Sequence, residues 1–150
     1  MNQSKVKCAD GILLAARILV ALLFLIFGWQ KLLDYPGTVQ YLSHVGAPLP
    51  ALATVIAIVM EFFVSIAIIL GVATRPLAAL LALYTLGTAF IGHHYWTMTG
   101  MARIENEINF YKNISIIGGL LALYVTGAGR FAIDGLWHKQ GAGEGTPAGG

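Results

Sequence analysis

Glu61 is the residue of this sequence whose chemistry most needs an explanation. It lies about ten residues from either end of the apolar stretch 51–72. A charged side chain at the centre of a membrane-spanning helix costs roughly 2.5–3.5 kcal/mol, and each Leu, Ile, Phe or Val returns only about 0.3–0.6. The acid must therefore be protonated, paired or turned toward a wet cavity, and intramembrane acids of this kind mark functional sites. Thr54, Ala57 and Ser65 lie at i−7, i−4 and i+4 from it. They form a small, polar stripe suited to the inside of a helical bundle.

Two other apolar stretches carry polar residues that could meet it. Asn109, Lys112 and Asn113 share one helical face at i, i+3 and i+4. In the first stretch Arg17, Ala21, Phe24, Gly28 and Lys31 fall at steps of four, three, four and three, so one face holds a cation near each end. Lys31 or Lys112 can reach Glu61 by snorkelling, and Arg17 approaches from the other side. The pattern predicts a cluster of Glu61, Lys31, Lys112 and Asn113 within the bundle, open to the outer side. In it Glu61 exchanges a proton, and Lys31, Asn109, Lys112, Asn113 and His93 contact a ligand.

Plainer roles stand beside these. Arg17, Lys31 and Arg75 sit near span ends, where basic residues anchor helices at the interface. Glu61 can be one half of a structural ion pair, and Asn109 and Asn113 can hydrogen-bond between helices. His93 and His94 are sequence neighbours, so on a helix they point about 100° apart and cannot chelate one ion together. Beside Tyr95 and Trp96 they read as interfacial polar residues. No zinc, haem-attachment or nucleotide-binding spacing is present, so neither a metal nor a covalently bound cofactor is expected. Gly118 and Gly119 read as permitting close helix contact.

The elements that position these residues are spanning helices. Of 150 residues 57% are hydrophobic and 11% charged, with a mean hydropathy of +0.75, against about 45–50% and about 25% in soluble domains. Stretches 11–33, 51–72, 76–95 and 108–126 each approach the roughly 20 residues needed to cross the hydrocarbon. An all-α membrane protein follows, a four-helix transmembrane bundle. The first stretch is interrupted by Arg17 and followed by Gln30 and Lys31 rather than a small-residue cleavage site, so it reads as a retained helix.

The nine Lys and Arg are scattered and the net charge is +2, which argues against a nucleic-acid partner. Cys8 is the single cysteine, which excludes internal disulfides and thiol relays. Lys5, Lys7, Arg75, Arg130 and Lys139 fall on one side, and Lys31, Arg103 and Lys112 near the other. The basic excess places both termini in the cytoplasm. Connections 41–50 and 97–107, with His44, His93, His94, Glu105 and Glu107 on or near them, then face outward. The division is an N-tail 1–10, a membrane domain 11–136 and a Gly-rich tail 137–150 expected to be disordered.

The order of several short motifs carries a family likeness. Ala16-Arg17-Ile18-Leu19 leads to Gly28-Trp29-Gln30-Lys31-Leu32, then Gly46-Ala47-Pro48, Glu61, Leu70-Gly71, Thr74-Arg75, Lys112-Asn113, and Gly127-Ala128-Gly129-Arg130 with Asp134. This series resembles the DoxX family of small bacterial inner-membrane proteins, over nearly the whole of 11–136. Ala128 and Ala132 depart from the proline and serine common in relatives. The resemblance implies a four-helix bundle of the inner membrane with the polar positions Arg17, Lys31, Glu61, Arg75, Lys112 and Asn113. It also implies a link to quinone-coupled oxidoreductases.

Taken with the central acid, it suggests a membrane subunit of a quinone-linked oxidoreductase system that binds a quinone-like headgroup near Glu61. Its expected partners are the lipid bilayer, a quinone, a soluble or membrane oxidoreductase and a second copy of the chain. The alternative is a non-enzymatic binding or assembly protein for a soluble partner or a small amphiphile. A transporter ranks third, since four spans without an internal repeat are few for alternating access.

Overall fold

A computed structural model describes residues 3–133; Asp134 and the expected tail lie outside them. Helix α1 (Gln3–Leu33) ends at Asp34, whose carboxylate accepts a hydrogen bond from the Gly37 amide at 3.0 Å. With Pro36 in the first turn, this cap starts α2 (Tyr35–His44). A turn through Gly46 and Leu49, both at positive φ, leads into α3 (Pro50–Leu70). Gly71, at φ 75°, closes α3 in the left-handed conformation that glycine adopts without strain. Helix α4 (Thr74–Gly92), a short 3-10 turn (Tyr95–Thr97) and α5 (Gly100–Thr126) follow. Four of these helices, α1, α3, α4 and α5, are long and apolar enough to cross a membrane.

Helix boundaries differ from the hydropathy limits in three places. Connection 41–50 is helical as far as His44. Most of connection 97–107 belongs to α5, which begins at Gly100 rather than Ile108. The segment 1–10 is largely the first turns of α1, which starts at Gln3. Hydropathy marks where lipid ends, whereas a helix satisfies its own backbone and continues into water until a breaker stops it. Gly100, at φ 62°, is such a breaker.

Helices α4 and α5 form an antiparallel pair along their lengths, and α1 packs along α3. The two pairs meet around Ala21, Phe24, Met60, Val64, Ile68, Ala78, Leu81, Ala82, Leu120 and Leu123. Large apolar side chains such as Leu19, Leu83 and Val125 point outward, where only lipid tails could cover them. Within α3, Val59–Val64 forms a π-helical segment, a wider turn that re-aims side chains and recurs at functional sites. Gly28 of α1 lies against it so closely that a Cβ there would sit 2.5 Å from the Phe62 nitrogen and 2.6 Å from the Glu61 carbonyl carbon. The backbones of α1 and α3 thus touch at the level of the acid.

The predicted inner face of α1 is the buried one: Arg17, Ala21, Phe24 and Gly28 are all inside. Arg17 is not an interfacial anchor. It is 1% exposed, and its guanidinium donates to the carbonyls of Ala128 at 2.5 Å and Phe131 at 2.6 Å. The fork of donors fastens the chain that leaves α5 beneath the bundle, a task suited to a planar guanidinium. Arg75 is exposed beside Gly127. Gly118 has nothing near it that a side chain would meet, so it mediates no close contact, whereas Gly119 faces Val20 of α1.

Candidate functional site

Lys31, two residues before the end of α1, and Glu61, in the π-helical turn of α3, come together across the Gly28 contact. Lys31 Nζ donates to Glu61 Oε2 at 2.6 Å, the one salt bridge among the described residues. Tyr84, near the middle of α4, donates its hydroxyl to Glu61 Oε1 at 2.6 Å. Each carboxylate oxygen therefore holds a donor from a different helix. This arrangement removes the isolation penalty that an acid would face in hydrocarbon. Lys31 is not a plain anchor either. Its Nζ lies 5.6 Å from the Phe27 ring centroid and donates inward to the acid.

Beside this cluster a cavity of about 780 Å³ opens toward the end of the bundle where α3 begins. Its polar lining comprises Lys31, Glu61, Tyr84, Thr85, Thr88, His93, Asn109, Lys112 and Asn113. The rest is apolar: Phe24 and Phe27 of α1, Leu42 of α2, Leu52, Ile56 and Ala57 of α3, Ile91 of α4 and Ile116 of α5. Leu49, Leu52 and Ile56 line it and are also 71%, 53% and 47% exposed, so the cavity is a cleft with an apolar side. Its origin lies in the packing. The Pro50–Ile58 part of α3 rests on α1 and α2, while the part from Val59 to Leu70 also packs against α4. The two helix pairs thus close on each other toward the Leu70 end of α3 and stand apart toward its Pro50 end. Helix α2 borders the cavity, with Tyr35 donating to the Ala51 carbonyl at 3.1 Å and Tyr41 and Leu42 on the cavity wall.

The residues expected to exchange a proton or contact a ligand, Glu61, Lys31, His93, Asn109, Lys112 and Asn113, all line this one cavity, whereas Arg17, Arg75, His44 and His94 do not. Lys31, not Lys112, is the partner of Glu61. Lys112 also lines the cavity, exposed, and donates to Asn109 Oδ1 at 2.7 Å. Asn113 lines the wall beside them. His93 is at the rim, its Nδ1 3.0 Å from Asn106 Oδ1. His94 faces away, with Nδ1 2.9 Å from the Ile91 carbonyl, and His44 is exposed on α2. Among the described residues no three His, Cys, Asp or Glu side chains gather as a metal-binding set. The aromatic residues Phe90, Tyr95, Trp96, Phe110 and Tyr111 pack edge to face where α4 ends and α5 begins, as in an interfacial belt.

Tyr84, Thr85 and Thr88 are the site residues that sequence reasoning missed. A signal existed: they fall at i, i+1 and i+4 in the middle of an otherwise apolar span. A tyrosine at that depth needs a partner for its hydroxyl, and the one acid at matching depth is Glu61.

Fold and site define an all-α, multi-pass membrane protein whose four-helix bundle holds a central ion pair at the base of a cleft. The DoxX family model matches residues 12–94, and the chain belongs to that family. It is 56% identical over 123 residues to the inner membrane protein YphA of Escherichia coli, covering 82% of this chain and 88% of that protein. It is also 39% identical over 134 residues to the inner membrane protein YqjF of the same organism, covering 89% and 98%. A more distant likeness, 26% over 134 residues, joins it to the ER-derived vesicles protein ERV29 of Saccharomyces cerevisiae, of which it covers 36%. No solved structure matches it. The chain is thus a multi-pass protein of the inner membrane.

Proposed function

We propose that the protein is a membrane subunit of a quinone-linked oxidoreductase system and binds a quinone-like headgroup in the cleft beside Glu61. The observation that carries this reading is the shape and chemistry of the cleft: an apolar side open toward lipid and a polar end where donors converge. Quinone carbonyl oxygens only accept hydrogen bonds. Lys31 keeps two N–H groups beyond the one given to Glu61, and Lys112 and the amides of Asn109 and Asn113 supply more. Glu61, bonded to Tyr84 and Lys31, would exchange a proton through either neighbour. A quinone would contribute two-electron carrier chemistry, with the electrons supplied by a partner oxidoreductase. The excess of basic residues at the termini and at Arg75 orients both termini to the cytoplasm, so that the cleft opens in the outer half of the bilayer.

The test is lipid mass spectrometry on protein extracted with its native membrane, compared with Glu61→Gln. A quinone present near one per chain and depleted in the variant supports the reading. Absence of quinone, together with unchanged quinone-linked electron transfer in membranes carrying Glu61→Gln, refutes it. A different amphiphile, or a companion protein released by altering residues 97–107, would instead select a binding or assembly role.

A further inference from the structure

The titratable groups that line the cleft are Lys31, Tyr41, Glu61, Tyr84, His93 and Lys112. Their charges do not balance. Lys31 and Glu61 neutralise each other at 2.6 Å. Lys112 has no carboxylate partner among the described residues, and its recorded hydrogen bond, at 2.7 Å, goes to the neutral amide oxygen of Asn109. Lys112 lies one turn inside the span 108–126, exposed on α5 and lining the cleft, so its ammonium can reach a ligand there. One donor to Asn109 leaves two N–H groups, and both lysines line the same space. Of Lys31, Glu61 and Lys112, the third is left unpaired, so this trio gives the polar end of the cleft one excess positive charge.

We infer that Lys112 makes the cleft selective for a headgroup that bears a negative charge, an acidic ring or acid group on an apolar chain, in preference to a neutral analogue of the same size. The inference rests on the cleft being the headgroup site proposed above. Geometry supports a division of labour within it. Lys31 is held by Glu61 and serves as a neutral-pair hydrogen-bond donor. Lys112 supplies the compensating charge, and Asn109 steadies its ammonium. The apolar chain of the ligand lies along Leu52 and Ile56, which border lipid. A charge-assisted hydrogen bond exceeds a neutral one by about 1 kcal/mol, on the order of fivefold to tenfold in affinity.

A matched pair of probes tests this: a 2-hydroxy-3-alkyl-1,4-naphthoquinone, whose acidic enol is ionised at neutral pH, and its 2-methoxy counterpart, which has the same ring and tail and is neutral. Binding of each is measured by fluorescence quenching on full-length protein in nanodiscs of uncharged phosphatidylcholine. The hydroxy compound is expected to bind about tenfold more tightly. Lys112→Gln should bring the two to near-equal affinity, chiefly by weakening the acid, and Lys112→Arg should retain the preference. The inference is overturned if wild type binds both equally, or if the preference survives Lys112→Gln. Failure of both compounds to bind overturns it along with the quinone reading. Equal binding defeats the charge selectivity alone and leaves that reading intact. Thermal unfolding of each variant in the same nanodiscs identifies loss of fold, and Lys112→Met then serves as a second neutral variant.

Discussion

Removing either partner of the Lys31 and Glu61 pair should destabilise the bundle unequally, and removing both should cost less than the sum. Breaking a buried pair by deleting one partner costs about 3–5 kcal/mol, because the survivor is left uncompensated. The two survivors differ here. The Glu61 side chain is 10% accessible and lies mid-span, whereas the Lys31 side chain is 23% accessible and sits two residues from the end of α1. Freed of Glu61, the lysine can swing outward along its four-carbon stem. Freed of Lys31, the carboxylate keeps one bond, from Tyr84, and cannot leave. Lys31→Met is therefore expected to cost about 3 kcal/mol and Glu61→Gln about 2, with the double variant near 3, a coupling of about 2 kcal/mol. Reversible unfolding in mixed micelles of rising dodecyl sulfate fraction, run on the four proteins, measures all three values. Additivity within about 0.5 kcal/mol would show that the pair is not formed in the membrane. A larger cost for Glu61→Gln than for Lys31→Met would refute the snorkelling argument.

Gly28→Ala should be severe, since its methyl would meet backbone at 2.5 Å and 2.6 Å and push α1 from the π-helical turn. A loss of about 2–4 kcal/mol is expected in the same assay, together with release of Lys31 from Glu61. Gly118→Ala, with no atoms nearby, should be neutral or slightly stabilising through helix propensity. Comparable losses for the two glycines would refute the assigned contact. Arg17→Met leaves the carbonyls of Ala128 and Phe131 without their donors, at about 1–3 kcal/mol for each one that stays buried. Limited proteolysis after α5 should accelerate in that variant, with Arg17→Lys intermediate. An unchanged cleavage rate would refute the clamp.

The sequence by itself determined the number of spans, because burial in lipid demands long apolar helices whatever their packing, and α1, α3, α4 and α5 follow the hydropathy. It also determined the inner face of α1, since residues at helical spacing must share a side: Arg17, Ala21, Phe24 and Gly28 are all buried. Several polar residues that hydrocarbon would reject were legible too, and of these Lys31, Glu61, Asn109, Lys112 and Asn113 line one cleft. Partner choice was decided only by the tertiary structure. Lys31 and Lys112 look alike in sequence, and what separates them is the Gly28 contact, which brings α1 onto the turn holding Glu61. Arg17 resembled an anchor because the strand of chain that covers it comes from more than a hundred residues away. The π-helical turn, α2 at the cavity wall and Tyr84 as second donor to the acid likewise depend on non-local packing. Local pattern fixes which side of a helix faces inward, but which helix stands opposite at a given depth is set by the whole bundle.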